Sequence, residues 1–311
     1  MKYASVSVLV PLKITADMIK PGTTVPEPDP ARGEAAWASG GNYALLAERV
    51  SNHAVYTCVQ VANGRNVPPE RDPDYWKYKG PSNRHAPFDD YSSTPAQALG
   101  TLTFVLQPGF FRDVRLDGLQ GDRAAITVRD APGGQIFKAV DVELWEQAMG
   151  LWELLFEPLG KRDQLELRDI PISPLAELTV KITGAATAIV GLGTMHIGEW
   201  LALAGTGDGG TEYGAEAEPK SFSYIETFPD GTWRIQKRFA ATDLAFSCVI
   251  NASQAVYANA ILKRILDVPV SVSATDTPGY EYLAGVGLVT GKVRAENAKE
   301  AKLTLKVRGA V

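Results

Sequence analysis

From Phe88 to about Pro219 the chain is cut into short segments in which apolar and polar side chains alternate, with Gly or Pro between segments. Thr101–Leu106 (T-L-T-F-V-L), Ala124–Arg129 (A-A-I-T-V-R), Gln135–Trp145 (Q-I-F-K-A-V-D-V-E-L-W), Gln164–Ile170 (Q-L-E-L-R-D-I) and Leu178–Ile182 (L-T-V-K-I) are clear cases. A period of two places successive side chains on opposite faces, so each segment reads as a half-buried strand rather than a helix. Leu151–Phe156 (L-W-E-L-L-F) and Ala188–Gly193 (A-I-V-G-L-G) read the same way. The 29 glycines and 20 prolines are scattered as turn punctuation, which suits many short strands. Gln107–Arg129 is echoed by Glu157–Lys181: a Pro-containing turn, R-D, an alternating strand, a loop and a second strand ending in T-V. Two such copies are too few for a repeat array and suggest corresponding edges of a two-sheet sandwich. The expectation for 83–219 is a jelly-roll or galactose-binding-like β-sandwich in a mainly β chain.

The flanking regions differ in pattern. Residues 1–33 read as a first strand (Ser5–Leu12) followed by a stiff extended linker, because 21–33 holds four prolines and almost no aliphatic side chain. Residues 34–82 spread large aromatics across short strand-like pieces: Trp37, Tyr43, Tyr56 and Trp76. A segment this small buries little aliphatic surface, so these rings must either build a miniature core or form a flat face for a ligand. Residues 220–311 read as an α+β unit. The turn Pro229-Asp230-Gly231 joins two strands into a hairpin. Asn251 and Gln254 stand as in a capping box before a helix whose apolar face is Val256, Ala260, Ile261 and Ile265, ended by Asp267-Val268-Pro269.

Composition removes several function classes. A net charge of −5 with mixed signs gives no electrostatic case for nucleic acid. No run approaches the ~18 apolar residues of a membrane span, and the N-terminal apolar run is interrupted by serines and stopped by Pro11. Cys58 and Cys248 lie far apart in apolar strand-like runs and read as buried free thiols of a reducing compartment. His53, His85 and His196 have no His or Cys partner at metal-ligand spacing, so no metal and no cofactor is expected. Neighbouring aspartates such as Asp89-Asp90 point to opposite faces of a strand and make a poor acid/base pair. Gly205, Gly207 and Gly210 satisfy G-x-G-x-x-G, but no amphipathic helix follows, so a surface loop is expected there. No catalytic constellation is read, and the chain is expected not to be an enzyme.

Two resemblances add to this reading. Trp37, Tyr43, Val50, Tyr56, Pro68 and Trp76 resemble the W…Y…V…Y…P…W pattern of chitin-binding-type carbohydrate-binding modules, in which aromatic faces stack on sugar rings. The chain departs from that pattern at Ala47-Glu48-Arg49, where a Gly-Asp turn is usual, and at Gln60-Val61, where an aromatic pair is usual. The resemblance implies Trp37, Tyr43, Tyr56 and Trp76 as carbohydrate-binding residues; packing into a core is the alternative for each. The second covers most of the chain: W-K-Y-K-G-P-S-N-R-H-A-P-F-D-D, H-I-G-E-W (His196–Trp200), Gly205–Ala215 and the hairpin with its helix resemble, in order, tail proteins of long-tailed bacteriophages and prophages. His85-Ala86-Pro87 stands where those proteins usually have Trp-Ala-Met.

That second resemblance implies a structural component of a virion tail tip or baseplate. Its expected partners are other copies of itself, in a trimeric or hexameric ring, and other tail or baseplate proteins. The first strand and 220–311 are expected to make the subunit contacts, with the aromatic module projecting on its linker. The alternative is a receptor-recognition protein that attaches the particle to a host surface saccharide.

Overall fold

A computed structural model describes residues 6–89, 94–146, 150–156, 160–204, 211–236, 240–275, 277 and 279–310. The fold is mainly β, with 49% of the chain in strands and 11% helical. It divides into two compact units, one made by residues 13–195 and the other by 1–12 together with 196–311. Residues 196–219, expected within the sandwich, therefore build the C-terminal unit instead. They do so because the strand Thr194–Ala202 pairs with the first strand and Glu216–Ser221 pairs with Ala240–Asn251.

In the unit 13–195 the alternation works as the period predicts. Strands Ile136–Glu143, Arg123–Arg129, Glu177–Thr183 and Thr101–Leu106 form one antiparallel sheet in that order. Its buried face carries Leu102, Phe104, Leu106, Ala124, Ile126, Val128, Leu178, Val180 and Ile182, while the residues between them are exposed or half-buried. The two echoing segments lie against each other: Asp113–Asp117 pairs with Gln164–Leu167, and Arg123–Arg129 with Glu177–Thr183. The second pair forms the middle of the four-stranded sheet rather than an edge. Leu151–Phe156, expected as a strand, is a six-residue helix in which Trp152 and Phe156 stack one turn apart, with ring centroids 4.4 Å apart.

The proline-rich segment is docked rather than free. The Lys20 and Thr24 N–H groups donate to Val105 and Thr103 carbonyls on the sandwich strand, and Val25 and Asp29 are buried. Prolines stiffen the segment, but its Thr24 N–H and the preceding Lys20 N–H still find acceptors on the strand, so it lies along the sandwich. The segment is a docked strap and not the projecting linker its prolines suggest.

In the other unit the strands Thr194–Ala202 (through its residues from 196 on), Ser7–Pro11, Pro269–Ser273, Ala284–Ala295, Glu300–Gly309, Ala240–Asn251 and Glu216–Ser221 follow one another in one antiparallel sheet. Helix Ala252–Arg264 lies on it, starting after Asn251, which has the extended backbone of an N-cap. The helix buries Ala258, Ile261 and Leu262, and the following Ile265 is buried too. Val256, expected on that face, is 78% exposed. The face is rotated because Ala255 and Ala258, not Val256, let the helix approach the strands. Ser7–Pro11 is an interior strand, paired on both edges, with Val6, Val8 and Leu9 fully buried. It cannot serve as the exposed subunit contact expected of it.

Candidate functional site

The aromatic module folds around its rings. Strands Glu48–Ser51, Ala54–Cys58 and Trp76–Pro81 form a three-stranded sheet, and Tyr43, Cys58, Ala62 and Trp76 make a core against which Trp37, Tyr56 and Tyr75 pack. Tyr43 is 6% and Trp76 2% exposed, and the two rings meet edge to face with centroids 5.2 Å apart. Tyr43 Oη donates to the Ala38 carbonyl at 2.8 Å and accepts from the Ala38 N–H at 2.7 Å, so its polar tip is used inside the protein. Tyr43 and Trp76 therefore present no face to a sugar; burial of the largest apolar surfaces is what holds a module this small together. Trp37 and Tyr56 are half-buried on that core, and the exposed ring nearby is Tyr78, 53% exposed and edge-on to Tyr56 at 5.9 Å. Arg65 covers Tyr75 with its guanidinium 3.6 Å from the ring centroid while binding Asp72 through two hydrogen bonds of 2.7 and 3.0 Å. Asp72 is thus a structural acceptor.

Beside this core the fold assembles a cluster that the spacing in sequence concealed. Glu27 from the docked segment, His53 from the hairpin turn and His85 from the junction come together. Glu27 Oε2 lies 2.9 Å from His53 Nδ1, and Oε1 lies 3.2 Å from His85 Nδ1 and accepts from Ser82 Oγ. The two imidazole rings are tilted by 33° with centroids 4.2 Å apart. Burial pushes the Glu27 carboxyl up, but hydrogen bonds from His85, Ser82 and His53 and the charge of His85 outweigh it and bring it down to about 2. His85 Nε2 is enclosed and has no hydrogen-bond partner among the described residues.

The junction motif explains how these segments are held. Asn83 is buried; its Nδ2 donates to Asp29 Oδ2 at 2.6 Å and to the Gln97 carbonyl at 2.8 Å, and its Oδ1 accepts from the Gln97 N–H at 2.9 Å. Its own N–H donates to Glu34 Oε1 at 2.7 Å, and Arg84 Nε donates to the Val25 carbonyl at 2.7 Å. The run Ser82-Asn83-Arg84-His85 is therefore a clasp on the proline-rich segment. Glu27, His53 and His85 are 26 and 32 positions apart, so ligand-spacing rules could not join them. The available signal was a histidine beside Asn52 in a two-residue hairpin turn.

In the C-terminal unit, H-I-G-E-W is scaffolding. His196 is buried with Nδ1 2.7 Å from Ser271 Oγ, and Gly198 faces Pro11 on the first strand. Cys58 and Cys248 are both buried and free. Gly205, Gly207 and Gly210 of the glycine-rich loop lie outside the described residues, as does Asp90.

No family model matches the chain, and neither a curated protein nor a solved structure does.

Proposed function

We propose that the protein is a structural subunit of a bacteriophage tail tip or baseplate, joined to further copies of itself through the hairpin that follows residue 223. The observation that carries the assembly role is the composition of that hairpin's two faces. Strands Tyr224–Thr227 and Trp233–Gln236 pair with Ile225 opposite Ile235, Thr227 opposite Trp233, and Glu226 opposite Arg234. Ile225, Ile235 and Trp233 thus share one face, and polar Glu226, Arg234 and Gln236 share the other with Tyr224. All four residues of each strand are exposed, Trp233 by 64%. A two-stranded hairpin is marginal by itself, and a contiguous exposed apolar face marks an interface.

The same unit offers a matching surface. A shallow cleft of about 420 Å³ runs beside the helix, lined mainly by small apolar residues such as Ala255, Val256 and Val293, with Asn259 and Glu300 also on its wall. Insertion of one copy's hairpin into the next copy's cleft is a head-to-tail contact, and such contacts close into a ring where the rotation between successive copies divides a full turn. The tail setting rests on the ordered motifs from Trp76 to the hairpin. Mass measurement of the purified chain should give a closed oligomer that Trp233→Ser reduces to monomers, and imaging of virions should place the chain at the tail end. A parent chain that stays monomeric and is absent from virions would end this reading.

A saccharide-binding reading is favoured by one other feature. Tyr280 and Tyr282 stand exposed with ring centroids 6.0 Å apart, beside a cleft of about 430 Å³ also lined by Thr275, Thr277 and Glu212. If this is the sugar site, Tyr282→Ala abolishes retention on host cell wall while Trp37→Ala does not.

A further inference from the structure

We infer that Glu27, His53 and His85 form a binding site for a divalent transition-metal ion, Zn²⁺ fitting the donor set best, which fastens the proline-rich segment to the aromatic module and to the junction clasp.

Three observations converge on it. First, one carboxylate and two imidazoles, each supplied by a different segment, bring their ligand atoms within 4.8 Å of one another. Ligands bound tetrahedrally at about 2.0–2.1 Å stand about 3.3 Å apart. Glu27 already holds its oxygens 2.9 and 3.2 Å from the two Nδ1 atoms, so loading requires movements of side chains only. Second, His53 occupies a costly backbone position. Ser51 pairs with Ala54, leaving Asn52-His53 as a two-residue turn with φ of +46° and +66°. The second position of such a turn is where glycine is cheapest, and a strained residue kept there points to a use for its side chain. Third, the cluster is sheltered but open on one side. The side chains of Glu27 and His85 are each 12% exposed and that of His53 is 44% exposed, which leaves a direction for ion entry and for a water as fourth ligand. Ser82 Oγ, 3.2 Å from His85 Nδ1, is a protein oxygen close enough to supplement the set.

The donor set selects the class of ion. Two imidazole nitrogens with one carboxylate oxygen suit zinc and its neighbours rather than calcium or magnesium, which take all-oxygen shells. One feature limits affinity. His85 turns Nδ1 toward Glu27 and Ser82, while its Nε2 is enclosed and faces no acceptor among the described residues. Metal on Nδ1 places the ring proton on that enclosed Nε2, which lacks the acceptor that orients most metal-bound histidines. The site should therefore bind reversibly and be stripped by chelators.

The test uses the full-length protein, treated with EDTA, dialysed, and titrated with zinc chloride by calorimetry and by thermal unfolding. One zinc per chain is expected, with a melting temperature that climbs with zinc concentration and returns on adding EDTA. Glu27→Gln and His85→Ala should weaken binding at least tenfold. Because either could loosen the clasp, His53→Gly decides the matter: glycine suits the turn, so the metal-free variant should melt no lower than the parent yet show no zinc-dependent rise. A parent that neither binds zinc nor shifts its melting temperature would overturn the inference, as would zinc binding unchanged in His53→Gly.

Discussion

Asn83 shows how much of the architecture can rest on one amide. Its side chain makes three hydrogen bonds, to Asp29 and to both backbone groups of Gln97, in a buried position. Asn83→Ala would leave the Asp29 carboxylate and the Gln97 amide short of partners, a loss of about 1–3 kcal/mol per buried unsatisfied group. A lower denaturant midpoint is the expected outcome, and Asn83→Asp should fare no better because it sets a second carboxylate against Asp29. Cys248 makes a different prediction. Burial, with Glu212 nearby, pushes its thiol from an ordinary 9.0 to about 12. Because the folded value is raised, the thiol's contribution to stability is whole below pH 9.0 and is lost as pH rises toward about 12. Cys248→Ala should flatten the alkaline fall in unfolding free energy, and iodoacetamide should label the parent only once it unfolds. The buried thiols were legible because each sits among apolar strand residues. The Glu27–His53–His85 cluster was not, because only tertiary folding brings the three segments together.

At the level of elements, periodicity found the sandwich strands and the Pro229-Asp230-Gly231 hairpin because each is decided locally. Thr232 donates to Asp230 Oδ1 through its backbone N–H at 2.9 Å and its hydroxyl at 2.7 Å, and Gly231 supplies a φ of +83°. Local pattern fails where packing chooses among near-equal options. Leu151–Phe156 is apolar enough for a strand or a helix turn, and the helix Ala252–Arg264 has small residues that let it rotate away from Val256. Gly198 is a third instance: nothing in H-I-G-E-W says why the middle residue is glycine. A Cβ there would stand 2.1 Å from the Val10 carbonyl oxygen and 3.0 Å from its carbon, both backbone atoms of the first strand. Gly198→Ala must push that strand aside, at a cost of about 1–3 kcal/mol or more. Thermal unfolding should show the loss, while Gly80→Ala, where no atom lies within 4 Å of the new Cβ, should match the parent.

For the whole molecule the consequential fact is that one unit is discontinuous. Residues 13–195 form a compact body, whereas 196–311 need residues 1–12 to complete theirs. Sequence reading placed a strand at the N-terminus but assigned it to an outer contact, since a strand's neighbours in a sheet are not encoded in the strand itself. In the fold it pairs with Gly198–Ala202 on one side and Ser271–Ser273 on the other. Val6, Val8 and Leu9 are wholly buried, each contributing about 1.5–3 kcal/mol of apolar burial. Without that strand the sheet would open along two unpaired edges, which invite association with other chains. A chain of residues 13–195 should therefore fold alone and show one cooperative unfolding transition. A chain of residues 196–311 should be aggregation-prone and poorly protected against amide exchange, and a peptide of residues 1–12 added in trans should restore protection along 198–202 and 271–273. Were 196–311 to fold fully without the peptide, the first strand would be an accessory to that unit rather than its spine.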